Sequence, residues 1–249
     1  MSSRVTYPSI IEILNDFLSQ IKVIELNNKK IVFKNYRREH GLIKWFLIKI
    51  GSNISKTYPY AIDPYERMIR ETSFFDEMID VLNTPRVLLK DWINLLIARE
   101  FIEGFSSKPD NEDDLRNISR LIACIHEYGY VLGDTKFYNF VKTNSKYYII
   151  DAEQAIASSN EKYMYWDLLV FVIVSTYYII NKYLTKAIDT AQYVIKTFLE
   201  NYVDERGYKA ISVLKNYDLL NYKSLVYILL PIPINTYYLR IVDKIISSR

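Results

Sequence analysis

The strongest constraint on what this chain can fold into is the stretch 121–153, where an apolar helix, a polar loop and a hairpin follow directly on one another. Leu121 to Tyr128 carries apolar side chains at helical intervals and stops at Gly129, a residue suited to a helix end. The loop that follows holds Asp134, Lys136 and Asn139. Phe140-Val141 and Tyr147-Tyr148-Ile149-Ile150 then read as two strands joined by the polar turn Thr143-Asn144-Ser145-Lys146, and Asp151 stands at the end of the second. Two carboxylates, an amide and a lysine at the two ends of one hairpin can converge. Phosphoryl transfer requires such a set. One Asp orients the attacking hydroxyl and accepts its proton, the Lys neutralises the γ-phosphate, and Asn with the second Asp holds Mg²⁺ on the nucleotide.

The pattern Gly133-Asp134-x-Lys136-x-x-Asn139, a hairpin, then Asp151 resembles the catalytic and metal-binding loops of the protein-kinase-like fold. The interval of five from Asp134 to Asn139 equals the Asp-to-Asn interval of the kinase signature His-Arg-Asp-Leu-x-x-x-Asn. Leu132-Gly133-Asp134 replaces His-Arg-Asp, and Asp151-Ala152-Glu153 replaces Asp-Phe-Gly. Both departures resemble the atypical branches: RIO kinases, the small kinase of the KEOPS complex, Kdo-type lipopolysaccharide-core kinases and aminoglycoside phosphotransferases. The resemblance implies an α+β, two-lobed fold. A small N-lobe with an antiparallel sheet and one helix would span 1–105, with the hinge at its end, and a mainly helical C-lobe would span 106–249. It also implies ATP and Mg²⁺ as cofactors, catalytic roles for Asp134 and Lys136, and metal binding by Asn139 and Asp151.

The N-terminal half can be read against that expectation. Residues 8–20 suggest a short helix. Ile21–Leu26 and Lys30–Tyr36 read as a hairpin around Asn27-Asn28, since Asn tolerates positive φ. Lys34 on the second strand is the candidate for the lysine that holds the α/β-phosphates, and Lys49 in Trp45–Ile50 is its rival. The run Lys34-Asn-Tyr-Arg-Arg-Glu-His-Gly41 resembles both the Kdo-type and the RIO and KEOPS kinases. Asp63-Pro64 supplies an N-cap and a Pro at the first helical position for a helix from Tyr65 to about Leu82, which offers Glu71 as the partner of Lys34. Asn83–Leu88 resembles the strand after that helix. The apolar run from Trp92 reads as a strand ending in Glu100-Phe101-Ile102-Glu103-Gly104, which resembles an interlobe hinge and makes Glu100, Phe101 and Ile102 nucleotide-edge residues through their backbones.

Beyond the polar stretch Ser106–Asp114, Leu115–Tyr128 is amphipathic. His126, near its end, reads as packing and a complement to the helix dipole, outside the site. Only fifteen residues separate Asp151 from Asp167, too few for the activation loop and Ala-Pro-Glu motif of regulated protein kinases. Trp166-Asp167 is expected to open a buried helix. Asp167 resembles the helix Asp that braces the catalytic loop in this superfamily, and an N-cap role would also suit it. Helices are expected at 185–202, 208–215, 222–230 and 236–246.

Composition narrows the function classes. A net charge of +3 is too mild to argue for nucleic acid. The single Cys124 excludes a disulfide scaffold and suits a reducing, cytoplasmic setting. The first residues lack an apolar signal core, and the longest apolar run, Leu168–Ile180, falls short of the roughly 20 residues of a membrane span. Tyr-rich and Gly-poor composition, with abundant Ile and Lys, is of a thermophilic kind. The first thirty-six residues hold no glycine, so the Gly-x-Gly-x-x-Gly phosphate loop of kinases is missing. The reading that emerges is an ATP- and Mg²⁺-dependent phosphotransferase, first an atypical serine/threonine protein kinase. A sugar or small-molecule hydroxyl kinase is the alternative, and a non-catalytic binding module the third reading. The partner is a protein substrate or a small hydroxyl acceptor.

Overall fold

The computed structural model describes residues 20–38, 57–144 and 146–249. Residues 8–19 of the expected helix and the rival lysine Lys49 lie outside the described residues. Strand β1 (Ile21–Leu26) pairs antiparallel with β2 (Lys29–Asn35) in the register Ile24↔Ile31 and Leu26↔Lys29. Asn27 and Asn28 have φ of 50° and 60°, the two left-handed positions of a type I′ hairpin turn. Along β2 the side chains alternate, so that Val32 and Lys34 are buried together, and Tyr36 just beyond continues the same face. A charged lysine therefore points into the interior because it shares the period of two apolar neighbours.

Helix α1 (Pro64–Met78) packs beneath this sheet, with Met68 in contact with Tyr36 and Ile97. It starts as expected. Asp63 accepts the amides of Tyr65 (2.9 Å) and Glu66 (3.0 Å), and Pro64 occupies the first turn. It ends four residues earlier than expected, where Val81 and Leu82 both donate to the Met78 carbonyl in a turn. Pro85 lies just ahead and disfavours helical backbone in the residue before it. Strands β3 (Val87–Asp91) and β4 (Leu96–Glu100) complete a four-stranded sheet in the order β1-β2-β4-β3. The strand expected to run from Trp92 begins at Leu96. Residues 92–95 form the connecting turn, because Asp91 accepts the amides of Ile93 and Asn94.

From residue 105 onward helices dominate, and the fold is α+β. Strand β5 (Phe105–Ser106) leads into α2 (Glu112–Glu127), capped by the Asn111 side chain. Two short sheets follow. Strand β6 (Tyr130–Val131) pairs with the later β9 (Ile156–Ala157), and β7 (Phe140–Lys142) lies between β5 and β8 (Tyr147–Ile149). A single 3-10 turn, Phe137–Asn139, joins the polar loop to β7. Helix α3 runs over Glu161–Lys182, five residues earlier than Trp166, because Asn160 caps it through the Lys162 amide. Its length and composition would allow it to cross a membrane. Two-thirds of its most apolar window (67%) is buried, however, as in a core helix. Leu168, Leu169 and Phe171 are fully enclosed, and Phe171 stacks on Phe198 of α4 (Ala187–Arg206) at 4.1 Å. Helices α5 (Tyr208–Leu214), α6 (Leu220–Leu229) and α7 (Ile234–Ser247) close the bundle. This core anchors the polar loop from below.

Candidate functional site

The loop after β6 is held almost entirely through its backbone. Asp167, on the second turn of α3 and wholly buried, accepts the amides of Leu132 (2.7 Å) and Gly133 (2.6 Å). The Thr135 hydroxyl donates to the Asp167 carbonyl at 2.5 Å. Asp167 thus braces the loop as its motif implied. It is not an N-cap, since Asn160 has that role. Gly133 is required twice over. Its φ is +72°, and a Cβ there would lie 2.3 Å from the Tyr58 ring. The Gly133 carbonyl in turn accepts from the Tyr60 hydroxyl (2.9 Å) and the Trp166 indole (3.2 Å).

His126 stays outside the immediate site but is wired to it. Its Nε2 lies 3.1 Å from Asp167 and its Nδ1 2.7 Å from the Tyr202 hydroxyl, which also receives Arg206. Burial lowers the His126 pKa despite the adjacent carboxylate, so the ring is neutral near pH 7. A neutral ring protonated on Nε2 donates to Asp167 and accepts from Tyr202, which satisfies all three groups.

The braced loop presents three polar side chains. Lys136 Nζ sits 2.5 Å from Asp134, and Asn139 Nδ2 donates to the Asp134 carbonyl at 3.0 Å. Burial works against the charge on Lys136, but Asp134 outweighs it and holds the ammonium protonated. The Ile150 amide donates to the Asn139 carbonyl at 2.9 Å. That bond sets Asp151, the next residue, beside Asn139, and the hairpin brings its two ends together as the spacing suggested.

The second half of the site forms around Lys34. Its Nζ lies 2.5 Å from Glu71, 2.9 Å from Asp151 and 3.2 Å from Glu153. Strand β2, helix α1 and the segment after β8 therefore meet on one ammonium. Lys34 and Glu71 are enclosed (side chains 2% and 0% exposed), whereas Asp151 is 31% exposed and opens toward solvent. Burial opposes the charge on Lys34, yet Asp151, Glu153 and Glu71 together raise its pKa well above the usual lysine value. Burial raises the Glu71 pKa against the pull of Lys34. Asp151 moves the other way: burial is overcome by Lys34 and Lys136, and its pKa falls.

The donor set suits a hard divalent cation. Glu71, Asp151 and Glu153 each bring one oxygen within 4.8 Å of the others. Asn139 has committed its amide nitrogen, which leaves its side-chain oxygen as the atom it could give a metal. Asp151 and Asn139 together offer the carboxylate and carbonyl oxygens that magnesium prefers.

The hinge candidates are placed less uniformly. The Glu100 amide donates to the Arg86 carbonyl within the sheet at 3.0 Å. Phe101 and Ile102 continue past the last sheet pair, half-buried, with Lys30 over the Phe101 ring at 5.4 Å. Several structural partners had escaped sequence reasoning. Tyr36 and Glu153 flank Lys34, Arg67 reaches Glu153 from α1, and the Tyr36 hydroxyl donates to Glu71 at 2.7 Å. Arg67 precedes Glu71 by one helical turn, so that signal was present in the spacing, and Glu153 stood in the Asp151-Ala152-Glu153 motif. The Gln154 clamp carried no such signal. Its side chain bonds both the amide and the carbonyl of Ala61, while its own carbonyl accepts from Tyr58.

No known family model matches the chain. Over 168 residues it is 29% identical to the lipopolysaccharide core heptose(II) kinase WaaY of Escherichia coli (strain K12), a match covering 61% of this chain and 72% of that one. Among solved structures, the choline kinase LicA from Streptococcus pneumoniae aligns with a TM-score of 0.48 at 14% identity, over 92% of this chain and 90% of that one. WaaP, solved in complex with acyl carrier protein, aligns with a TM-score of 0.45 at 12% identity, over 92% and 83% respectively.

Proposed function

We propose that this chain is an atypical kinase of the protein-kinase-like superfamily, dependent on ATP and Mg²⁺, that phosphorylates a hydroxyl group, and that the hydroxyl belongs to a sugar. One observation carries the phosphotransferase reading: two independently built halves face each other. Lys34 held by Glu71 and Asp151 forms one half, and Asp134 with Lys136 and Asn139 on a braced loop forms the other. The sugar is favoured by similarity to a heptose kinase.

In this reading residues 1–105 and 106–249 are the two lobes, and the backbones of Phe101 and Ile102 receive the adenine edge. Lys34 binds the α/β-phosphates. Asn139 and Asp151 would hold magnesium, which would supply charge neutralisation on the nucleotide. Asp134 orients the acceptor hydroxyl for in-line attack on the γ-phosphorus. A new P–O bond forms as the bond to the β-phosphate oxygen breaks, and the hydroxyl proton passes to Asp134. Lys136, fixed beside Asp134, stabilises the charge on the moving phosphoryl group.

A second reading, a serine/threonine protein kinase, draws on the Lys34-Asn-Tyr-Arg37 run and its likeness to RIO and KEOPS kinases. Incubation with γ-labelled ATP and Mg²⁺ separates the two, using heptose-containing core oligosaccharide in one arm and generic protein substrates in the other. Label on the sugar that disappears in Asp151→Asn and Asp134→Ala supports the proposal. Label on protein alone selects the second reading. Full transfer by Asp134→Ala refutes the mechanism, and absence of nucleotide binding leaves a non-catalytic module.

A further inference from the structure

Helix α1 carries two charged residues one turn apart, Arg67 and Glu71, both wholly buried. Glu71 meets Lys34. Arg67 joins three elements: its Nη2 donates to the Tyr36 carbonyl at the end of β2 (2.8 Å), and its Nη1 lies 3.4 and 3.5 Å from the two oxygens of Glu153. Glu153 is itself enclosed (side chain 6% exposed) and also receives Gln20 (3.3 Å) and Lys34 (3.2 Å). Both of its oxygens thus face cations or donors, whereas Asp151, two residues earlier, opens toward solvent. Geometry alone groups Glu71, Asp151 and Glu153 as a three-carboxylate cluster, yet their partners divide the labour among them.

We propose that Arg67 and Glu153 form a buried positioning pair that latches α1 to the segment after Asp151, so that Glu153 fixes Lys34 and does not ligand the metal. The inference rests on the nucleotide-binding reading for its functional consequence. The physical argument is one of cost. If α1 moved away from the segment after Asp151, a guanidinium and a carboxylate would separate inside a dry interior, and breaking such a pair strongly disfavours the moved state. Two ion pairs on one helix face, Lys34–Glu71 and Arg67–Glu153, therefore hold the phosphate lysine in place without an activation loop. Fork-shaped Arg is suited to spanning Tyr36 and Glu153 at once, which a Lys could not do.

The test is a double-mutant cycle in the full chain with Arg67→Met, Glu153→Gln and their combination. Arg67→Lys is added as a milder variant in case Arg67→Met does not fold. Binding of ATP is measured by thermal shift at saturating Mg²⁺, and the Mg²⁺ midpoint at fixed ATP. Each single change is expected to weaken ATP binding about tenfold, the pair together no more than the worse single, and the Mg²⁺ midpoint to move less than about threefold. A Mg²⁺ midpoint moved tenfold or more by Glu153→Gln but not by Arg67→Met would make Glu153 a metal ligand and overturn the proposal. Additive losses would overturn it as well. Amide hydrogen exchange of α1 without nucleotide gives an independent arm. Equal loss of protection in singles and double is expected, and unchanged protection refutes the latch. If the wild-type chain binds no ATP, the functional reading fails and the exchange arm alone decides the latch.

Discussion

Replacing Lys34 with Met tests the centre of the site most severely. The substitution preserves most of the aliphatic stem but removes the ammonium from three carboxylates at 2.5, 2.9 and 3.2 Å. Removing one member of a buried ion pair costs about 3–5 kcal/mol, because the remaining charge stays desolvated and unpaired. Asp151 is a third exposed and can recover some hydration, and Glu153 keeps Arg67. The loss therefore falls mainly on Glu71, and the lower end, about 3 kcal/mol near pH 7, is expected. For a chain of this size that lowers Tm by roughly 6–12 °C. The loss should also shrink in acid. In the wild type Lys34 restrains the rise of the Glu71 pKa and depresses that of Asp151. Without Lys34 both rise, the folded variant takes up protons, and its deficit relative to the wild type narrows as pH falls from 8 toward 5. Each unit of upward shift recovers about 1.4 kcal/mol. Urea denaturation of both proteins at pH 8 and pH 5 measures the difference. A loss below about 1 kcal/mol, or one that is the same at both pH values, would refute the argument that Lys34 compensates buried carboxylates.

Two more substitutions and one titration probe the loop and its brace. Gly129 and Gly133 both have positive φ, +75° and +72°, but only Gly133 lies under an aromatic ring. Gly129→Ala should therefore cost only the left-handed strain, about 1–2 kcal/mol, and Gly133→Ala distinctly more, by chemical denaturation; equal costs would contradict the Tyr58 contact. His126 has its pKa lowered by burial, so the unfolded chain binds its proton first as pH drops through about 6.5. Stability should decline below that pH, and the slope should flatten in His126→Gln; an identical slope would place the titration elsewhere.

Periodicity and local chemistry in the sequence determined much of this protein. The Asn27-Asn28 hairpin, the Asp63-Pro64 helix start, the β7–β8 hairpin and most C-terminal helices follow from side-chain alternation, capping and turn preference, which act over a few residues. The pairing of Lys34 with Glu71 and the approach of Asp151 to Asn139 were legible only because a motif with known spacing linked distant segments. Helix ends were less legible. Helix α1 stops short of Leu82, and α3 begins before Trp166 at a cap that the Asp167 reading had overlooked. What tertiary structure alone decided is the environment of each charge. Burial makes Lys34 a shared counterion, makes Arg67 a bridge between three elements and holds His126 neutral. These are long-range effects. They arise from which surfaces lose water together, and neither the order of residues nor their spacing reveals which distant side chains will share one dry space.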